Sequence, residues 1–226
     1  DNSTHLNTTF FHLEKESKLS SNVISLNGGL IRNESYARLN GQYSEANIYG
    51  LYLMDKVQHV DNQVYVHHAL PNCTSNELFK GIVDDQARSV FKGHILVDKD
   101  AQKTKAFQNN KNILLTDKAK ANTKPFLEIY ADDVKCSHGA TVGQLDQTAL
   151  FYLRSRGMSY DNARMLLMYA FIAEVINKIN IKQLHDSIDD MVKKRLRGEL
   201  SICEQCVLNC KNKEQSISFD IDISKL

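Results

Sequence analysis

Residues 79–98 read FKGIVDDQARSVFKGHILVD: two strand-like runs of the same make, each led by Phe-Lys-Gly and rich in Ile and Val, on either side of a short polar stretch. Runs of this length, closed by Asp, Gln or Lys, are strands with turns between them. A strand motif that nearly repeats is what a stacked solenoid produces, because each turn of the chain presents equivalent positions to equivalent neighbours. A β-sandwich of short strands is the competing reading.

Outward from this stretch the same texture continues. NVISLNGGLIRN (22–33), NIYGLYLMD (47–55), QVYVHHAL (63–70), HILVDKD (94–100), NILLTDK (112–118) and PFLEIYADDVKC (125–136) are all β-rich runs closed by polar residues. No segment between residues 9 and 142 carries a helical period, which excludes alternating βαβ units. Only two prolines, Pro71 and Pro125, and few paired turn residues occur, which argues against a chain of tight hairpins. The expectation is a mainly β protein, with a parallel β-helix core over residues 1–142.

After Val142 the pattern changes to helical. Leu145, Ala149, Leu150 and Leu153 share one face, and Gly157 stands just past the end. Ser159 is placed to cap a second helix with an apolar stripe of Ala163, Leu166, Leu167, Ala170, Phe171 and Val175. Asn180 is the expected cap of a third, with Ile181, Leu184, Ile188, Met191 and Val192 inward. Residues 193–197, KKRLR, end it with cations that suit the negative end of the helix dipole and stay in solvent. This gives a small helical C-terminal subdomain over 143–211 and a tail over 212–226.

The 226 residues carry 28 Lys and Arg against 27 Asp and Glu, so no global field draws the chain to nucleic acid or an anionic membrane. No apolar run is long enough to span a bilayer, and the first residues, DNSTHLNTTF, do not read as a signal peptide. The chain starts with Asp1 rather than Met, which reads as a processed or truncated fragment. Five cysteines (Cys73, Cys136, Cys203, Cys206, Cys210) make no disulfide framework and suit a reducing, cytoplasmic setting. Four sequons, at Asn2, Asn7, Asn33 and Asn72, and a C-terminal SKL are read as coincidence in an Asn- and Ser-rich chain.

Chemistry concentrates in CSHGATVGQLD, residues 136–146. On an extended strand Cys136 and His138 share one face, roughly 7 Å apart, a spacing suited to two ligands of one small cluster. Two ligands are not a site, since an iron–sulfur cluster or a structural zinc takes about four. The competing reading makes Cys136 a buried apolar residue and His138 a hydrogen-bonded turn residue. A second group, CEQCVLNC, places Cys203, Cys206 and Cys210 as three potential ligands of zinc or a cluster, completed from elsewhere. His67 and His68 point to opposite faces, and no phosphate-cradling glycine loop is present.

The run PFLEIYADDVKCSHGATVGQLDQTALFYLRSRGMSYDNARMLLMYAFIAEVINKI, residues 125–179, resembles the C-terminal part of the SufD branch of the SufB/SufD family of iron–sulfur cluster assembly proteins. EIYADDVKCSHGATVG and LDxxALFYLRSRG carry the likeness. The resemblance implies a right-handed parallel β-helix with a helical C-terminal subdomain and a non-enzymatic scaffold role. It implies pairing with a SufB-like subunit through the end of the β-helix, a homodimer being the alternative for the chain alone. A SufC-like ATPase would dock on the C-terminal helices, for which the face from Leu167 to Val175 is the expected surface. His138, with Cys136 as the weaker candidate, would meet a transient iron–sulfur cluster shared with the partner. The cysteines of CEQCVLNC lie outside the family pattern. The rival is a secreted β-helix enzyme acting on polysaccharides.

Overall fold

The computed structural model describes residues 3–198. Ten strands precede three helices: β1 (Thr4–Leu13), β2 (Lys18–Ser25), β3 (Leu30–Leu39), β4 (Glu45–Met54), β5 (His59–His68), β6 (Thr74–Val83), β7 (Arg88–Val97), β8 (Lys105–Leu114), β9 (Lys120–Ile129), β10 (Lys135–Gly143), α1 (Gln147–Ser155), α2 (Tyr160–Ile176) and α3 (Lys182–Arg197). Odd strands form one five-stranded parallel sheet in the order β1-β3-β5-β7-β9, and even strands form the other, β10-β8-β6-β4-β2. Because consecutive strands change sheet, the chain winds as a β-solenoid of five coils. The parallel-helix expectation holds and the sandwich reading falls away.

The coil explains the FKG repeat. Register partners Leu30, His59 and Arg88 are 29 residues apart, and the Phe-Lys-Gly triplets at 79–81 and 91–93, 12 residues apart, fall on consecutive strands of opposite sheets, β6 and β7, with Phe and Gly inward in both. Phe79 and Phe91 are both fully buried and meet across the interior, ring centroids 4.9 Å apart. The glycines make room for large neighbours. A Cβ on Gly81 would lie 1.9 Å from the Tyr52 ring, its register partner on β4, and one on Gly93 would lie 2.2 Å from the Gln108 carboxamide in the opposite sheet.

The turns are also periodic. Glu16, Tyr43, Asn72 and Lys103 have positive φ and each stands two residues before an even strand; Lys56 and Asp85 stand three before β5 and β7. A non-glycine residue in this region costs about 1–2 kcal/mol, which the stacked turns must supply. Within them, Gln58 N–H donates to the Asp55 carbonyl and Ala87 N–H to that of Asp84.

Register also builds ladders. Phe10, Tyr36, Tyr65, His94 and Phe126 line up on the outer face of the odd sheet, with neighbouring centroids 4.8–6.2 Å apart. Inside, Asn33 Nδ2 donates to Asn62 Oδ1 at 3.0 Å, which keeps the sequon at Asn33 buried in the folded chain.

The helices lie on the outer face of the even sheet, where Leu51, Leu53, Leu78 and Ile82 pack against Met168, Ile172, Val175, Ile176, Val192 and Leu196. That is why the second halves of β4 and β6 are buried on both faces. Asp146 caps α1 by accepting from Thr148 and Ala149 N–H, and Ser159 caps α2 by accepting from Asn162 N–H. The third helix departs from expectation: its N-cap is Ile181, not Asn180, no side chain caps it, and Leu184 is exposed. On α1 only Leu150 is buried. On α2 the buried face is Ala163, Met168, Ile172, Val175 and Ile176, while Ala170 is exposed. An almost wholly apolar helix has no polar face to reveal its orientation.

Nor is KKRLR wholly in solvent. Arg195 is buried, donating from Nε to the Leu26 carbonyl at 2.9 Å and pairing through Nη2 with Asp55 at 2.9 Å. Lys80, buried on β6, reaches the Phe171 carbonyl at 2.7 Å and Glu174 at 2.5 Å, and Arg164 pairs with Asp84. These links tie α2 and α3 to the coils. Arg195→Ala removes the buried cation that pairs with Asp55 and bonds the Leu26 carbonyl, and should destabilise the protein by about 3–5 kcal/mol, read from urea unfolding. Gly81→Ala forces Tyr52 to move and should cost about 1–3 kcal/mol by the same measurement.

Candidate functional site

At one end of the solenoid, β9 and β10 each have a neighbour on one side only. Pro125, in the middle of β9, suits such an edge because it has no N–H to give. β10 continues the even sheet in register with β8: Cys136 pairs with Ala106, His138 with Gln108, Ala140 with Asn110 and Val142 with Asn112. Since these β8 residues face the interior, Cys136 and His138 share the inward face of the last coil, as the period-two reading requires.

Their surroundings differ. Cys136 is half-buried against the edge of the main core, and burial pushes its thiol up, offset only in part by a hydrogen bond with the Ala106 backbone. It stands as a thiol rather than as the thiolate that binds metals. His138 is exposed and has no hydrogen-bond or ion-pair partner among the described residues. No group of three or more His, Cys, Asp or Glu able to hold a metal ion occurs among the described residues. The end of the coil thus offers two candidate ligands and an edge that no described strand covers. Cys203, Cys206 and Cys210 lie outside the described residues. Cys73 is buried in a turn, its sulfur within 3.3 Å of Ser44 Oγ and 3.2 Å of the Gly41 carbonyl. His67 pairs with Asp98 on the outer face while His68 is buried, as their adjacency on a strand dictates.

Beneath the terminal strand the interior turns polar. Gln108, Asn110 and Asn112 face inward from β8 and all are buried. Gln108 Nε2 donates to Glu77 Oε2 at 2.7 Å; Tyr52 O–H donates to Asn112 Oδ1 at 2.6 Å, and Asn112 Nδ2 to Asn110 Oδ1 at 2.8 Å. Burial raises the Glu77 carboxyl to about 8, despite the opposing bond from Gln108, so it is protonated at neutral pH. Burial, with a smaller repulsion from His67, lowers His68 to about 3, and that ring is neutral against Ser75 Oγ at 2.8 Å. Sequence reading missed this group. The signal was the run Ala106 to Asn112, AFQNNKN, whose alternate residues are carboxamides in a strand too polar to read as β.

The chain matches the family model for the SufBD core domain of the SUF system for iron–sulfur cluster assembly over residues 1–171. It belongs to the SufBD family. Its relatives include the iron–sulfur cluster assembly protein SufD of Escherichia coli K12, 39% identical over 186 residues that make up 82% of this chain and 44% of that protein. A SufBD family protein of Mycobacterium leprae is 34% identical over 83% of this chain and 50% of its own length. Protein ABCI7, chloroplastic, of Arabidopsis thaliana is 33% identical over 84% of this chain and 40% of its own. The chain spans about half the length of these relatives. SufBD membership sets aside the polysaccharide-acting rival, and the fold agrees with it. None of the described helices is long and apolar enough to cross a membrane.

The raised Glu77 carboxyl has a defined signature. Between its ordinary value of 4.5 and about 8 the unfolded chain has lost the proton that the folded chain keeps, so its contribution to stability falls as pH rises through this window. Glu77→Gln removes that dependence. The stability of the variant relative to the parent should climb from pH 4.5 to pH 8 and then level off, as read from urea midpoints at a series of pH values.

Proposed function

We propose that this chain acts as the non-enzymatic scaffold half of an iron–sulfur assembly complex, with a SufB-like subunit covering the β9/β10 end and completing a shared site for the nascent cluster. The observation that carries this reading is His138: exposed, unpartnered among the described residues and on the inward face of the terminal strand, where an adjoining subunit can reach it. An incomplete ligand set suits a cluster that must be handed on, because a full private set of thiolates would retain it. The cluster is cargo in this reading. Cys136 is the weaker ligand because its thiol is held protonated at the edge of the core.

A SufC-like ATPase would bind on the helices. Within the stretch from Leu167 to Val175, Ile172 and Val175 pack on the solenoid, while Ala170 is exposed. The exposed aromatics of α1 and of the start of α2, Phe151, Tyr152 and Tyr160, are the surface that supports docking. Movement applied there could pass through Lys80, Arg164 and Arg195 to the coils.

The test uses the full-length protein with its SufB-like and ATPase partners, reconstituted anaerobically with iron and sulfide. His138→Ala should leave the unfolding midpoint unchanged and abolish the visible charge-transfer absorbance of the assembled cluster. Absorbance equal to the parent's would remove His138 from the site. Phe151→Ala with Tyr152→Ala should weaken ATPase binding at least tenfold in titration calorimetry, and unchanged binding would move the docking surface elsewhere.

A further inference from the structure

Glu77 on β6, Gln108 on β8 and His138 on β10 are successive register partners facing the interior, so they form one column whose last member stands at the open end. Gln108 lies between the other two because the sheet runs β10-β8-β6. Its Nε2 is committed to Glu77 on one side, at 2.7 Å. Its Oε1 is buried without a hydrogen-bond partner among the described residues, as is Glu77 Oε1. Gly93, across the interior, gives this carboxamide its room, since any Cβ there would collide with it.

An orphaned buried acceptor is costly, and its presence beside an unpartnered imidazole is best explained by use. A neutral histidine that binds a metal through one ring nitrogen must place the proton on the other, and the acceptor offered to that N–H decides which nitrogen is free. We propose that Gln108, clamped by Glu77, is the positioning residue for His138: its Oε1 accepts one imidazole N–H and so aims the other nitrogen's lone pair out of the coil end. Neighbouring strands lie about 4.8 Å apart, so a side-chain rotation of His138 brings the ring to Gln108 without backbone movement. Covering of the coil end by a partner would favour that rotamer, because the exposed one loses its water. The inference rests on the proposed role of His138 as a cluster ligand.

The experiment uses the full-length chain in the assembled complex, loaded with iron and sulfide, and follows loss of the cluster to a chelator. In parallel, ¹⁵N NMR of histidine-labelled protein reads the His138 tautomer in the unloaded complex. Gln108→Met should still assemble a cluster but release it 10–100-fold faster, with His138 shifting from one tautomer to a mixture. Glu77→Met, which frees the carboxamide to turn, should loosen the cluster in the same direction, and Glu77→Gln should recover most of that loss by giving Gln108 an acceptor again. If Gln108→Met does not fold, Glu77→Met with Gln108→Met leaves no orphaned carboxyl and takes its place. Release rates and a tautomer identical to the parent's in Gln108→Met or the double variant overturn the inference. His138→Ala separates the two readings. If it abolishes the cluster while Gln108→Met changes nothing, only the positioning role falls; if it leaves the cluster intact, the proposed site and the positioning role fall together.

Discussion

Hydrogen bonding between successive coils, parallel and in register, is the constraint on which the remaining structure depends. Once Leu30 lies beside His59 and His59 beside Arg88, every side chain acquires a counterpart one coil away on the same face. A slip of one residue would send each interior side chain to the surface. The aromatic ladder on the odd sheet and the alignment of Glu77, Gln108 and His138 follow from this pairing. Along the inner face of the even sheet the character changes: Ala46, Ile48, Tyr52 and Met54 face inward from β4, whereas Gln108, Asn110 and Asn112 do so from β8, next to β10.

The even sheet serves two cores at once. Its inner face closes the solenoid and its outer face, through Leu51, Leu53, Leu78 and Ile82, receives α2 and α3. Buried cations reinforce that second contact with directional bonds. Lys80 and Arg195 each satisfy a backbone carbonyl as well as a carboxylate, a geometry that offsets the cost of removing charge from water. Helices and coils are therefore positioned relative to one another by specific bonds and not by apolar contact alone.

What was legible in the sequence was what repeats over short distances. The period of two put Cys136 and His138 on one face, and separated His67 from His68, without any knowledge of the partner strands. Gly157 and Ser159 marked helix ends because capping is local. Illegible features depend on distant residues. Arg195 looked like a solvent cation until Leu26 and Asp55 were brought to it, and the contact face of α2 is hidden in a helix apolar almost all round. The left-handed turn residues are Glu, Tyr, Asn, Lys, Lys and Asp, so the stacking that imposes their conformation leaves no common residue type to read. The polar interior of β8 was missed because strands are sought by hydrophobicity.

In a stack of coils each layer is held by the layers on either side, and the coil of β9 and β10 has a neighbour on one side only. Its hydrogen bonds therefore have the lowest opening free energy of the series that leads to it, and amide exchange should accelerate from β6 and β7 toward β10. The strand that carries His138 is held by one neighbour, as β2 is at the opposite end of the same sheet. Whatever seals that edge does more than supply ligands: it converts a terminal layer of the solenoid into an interior one.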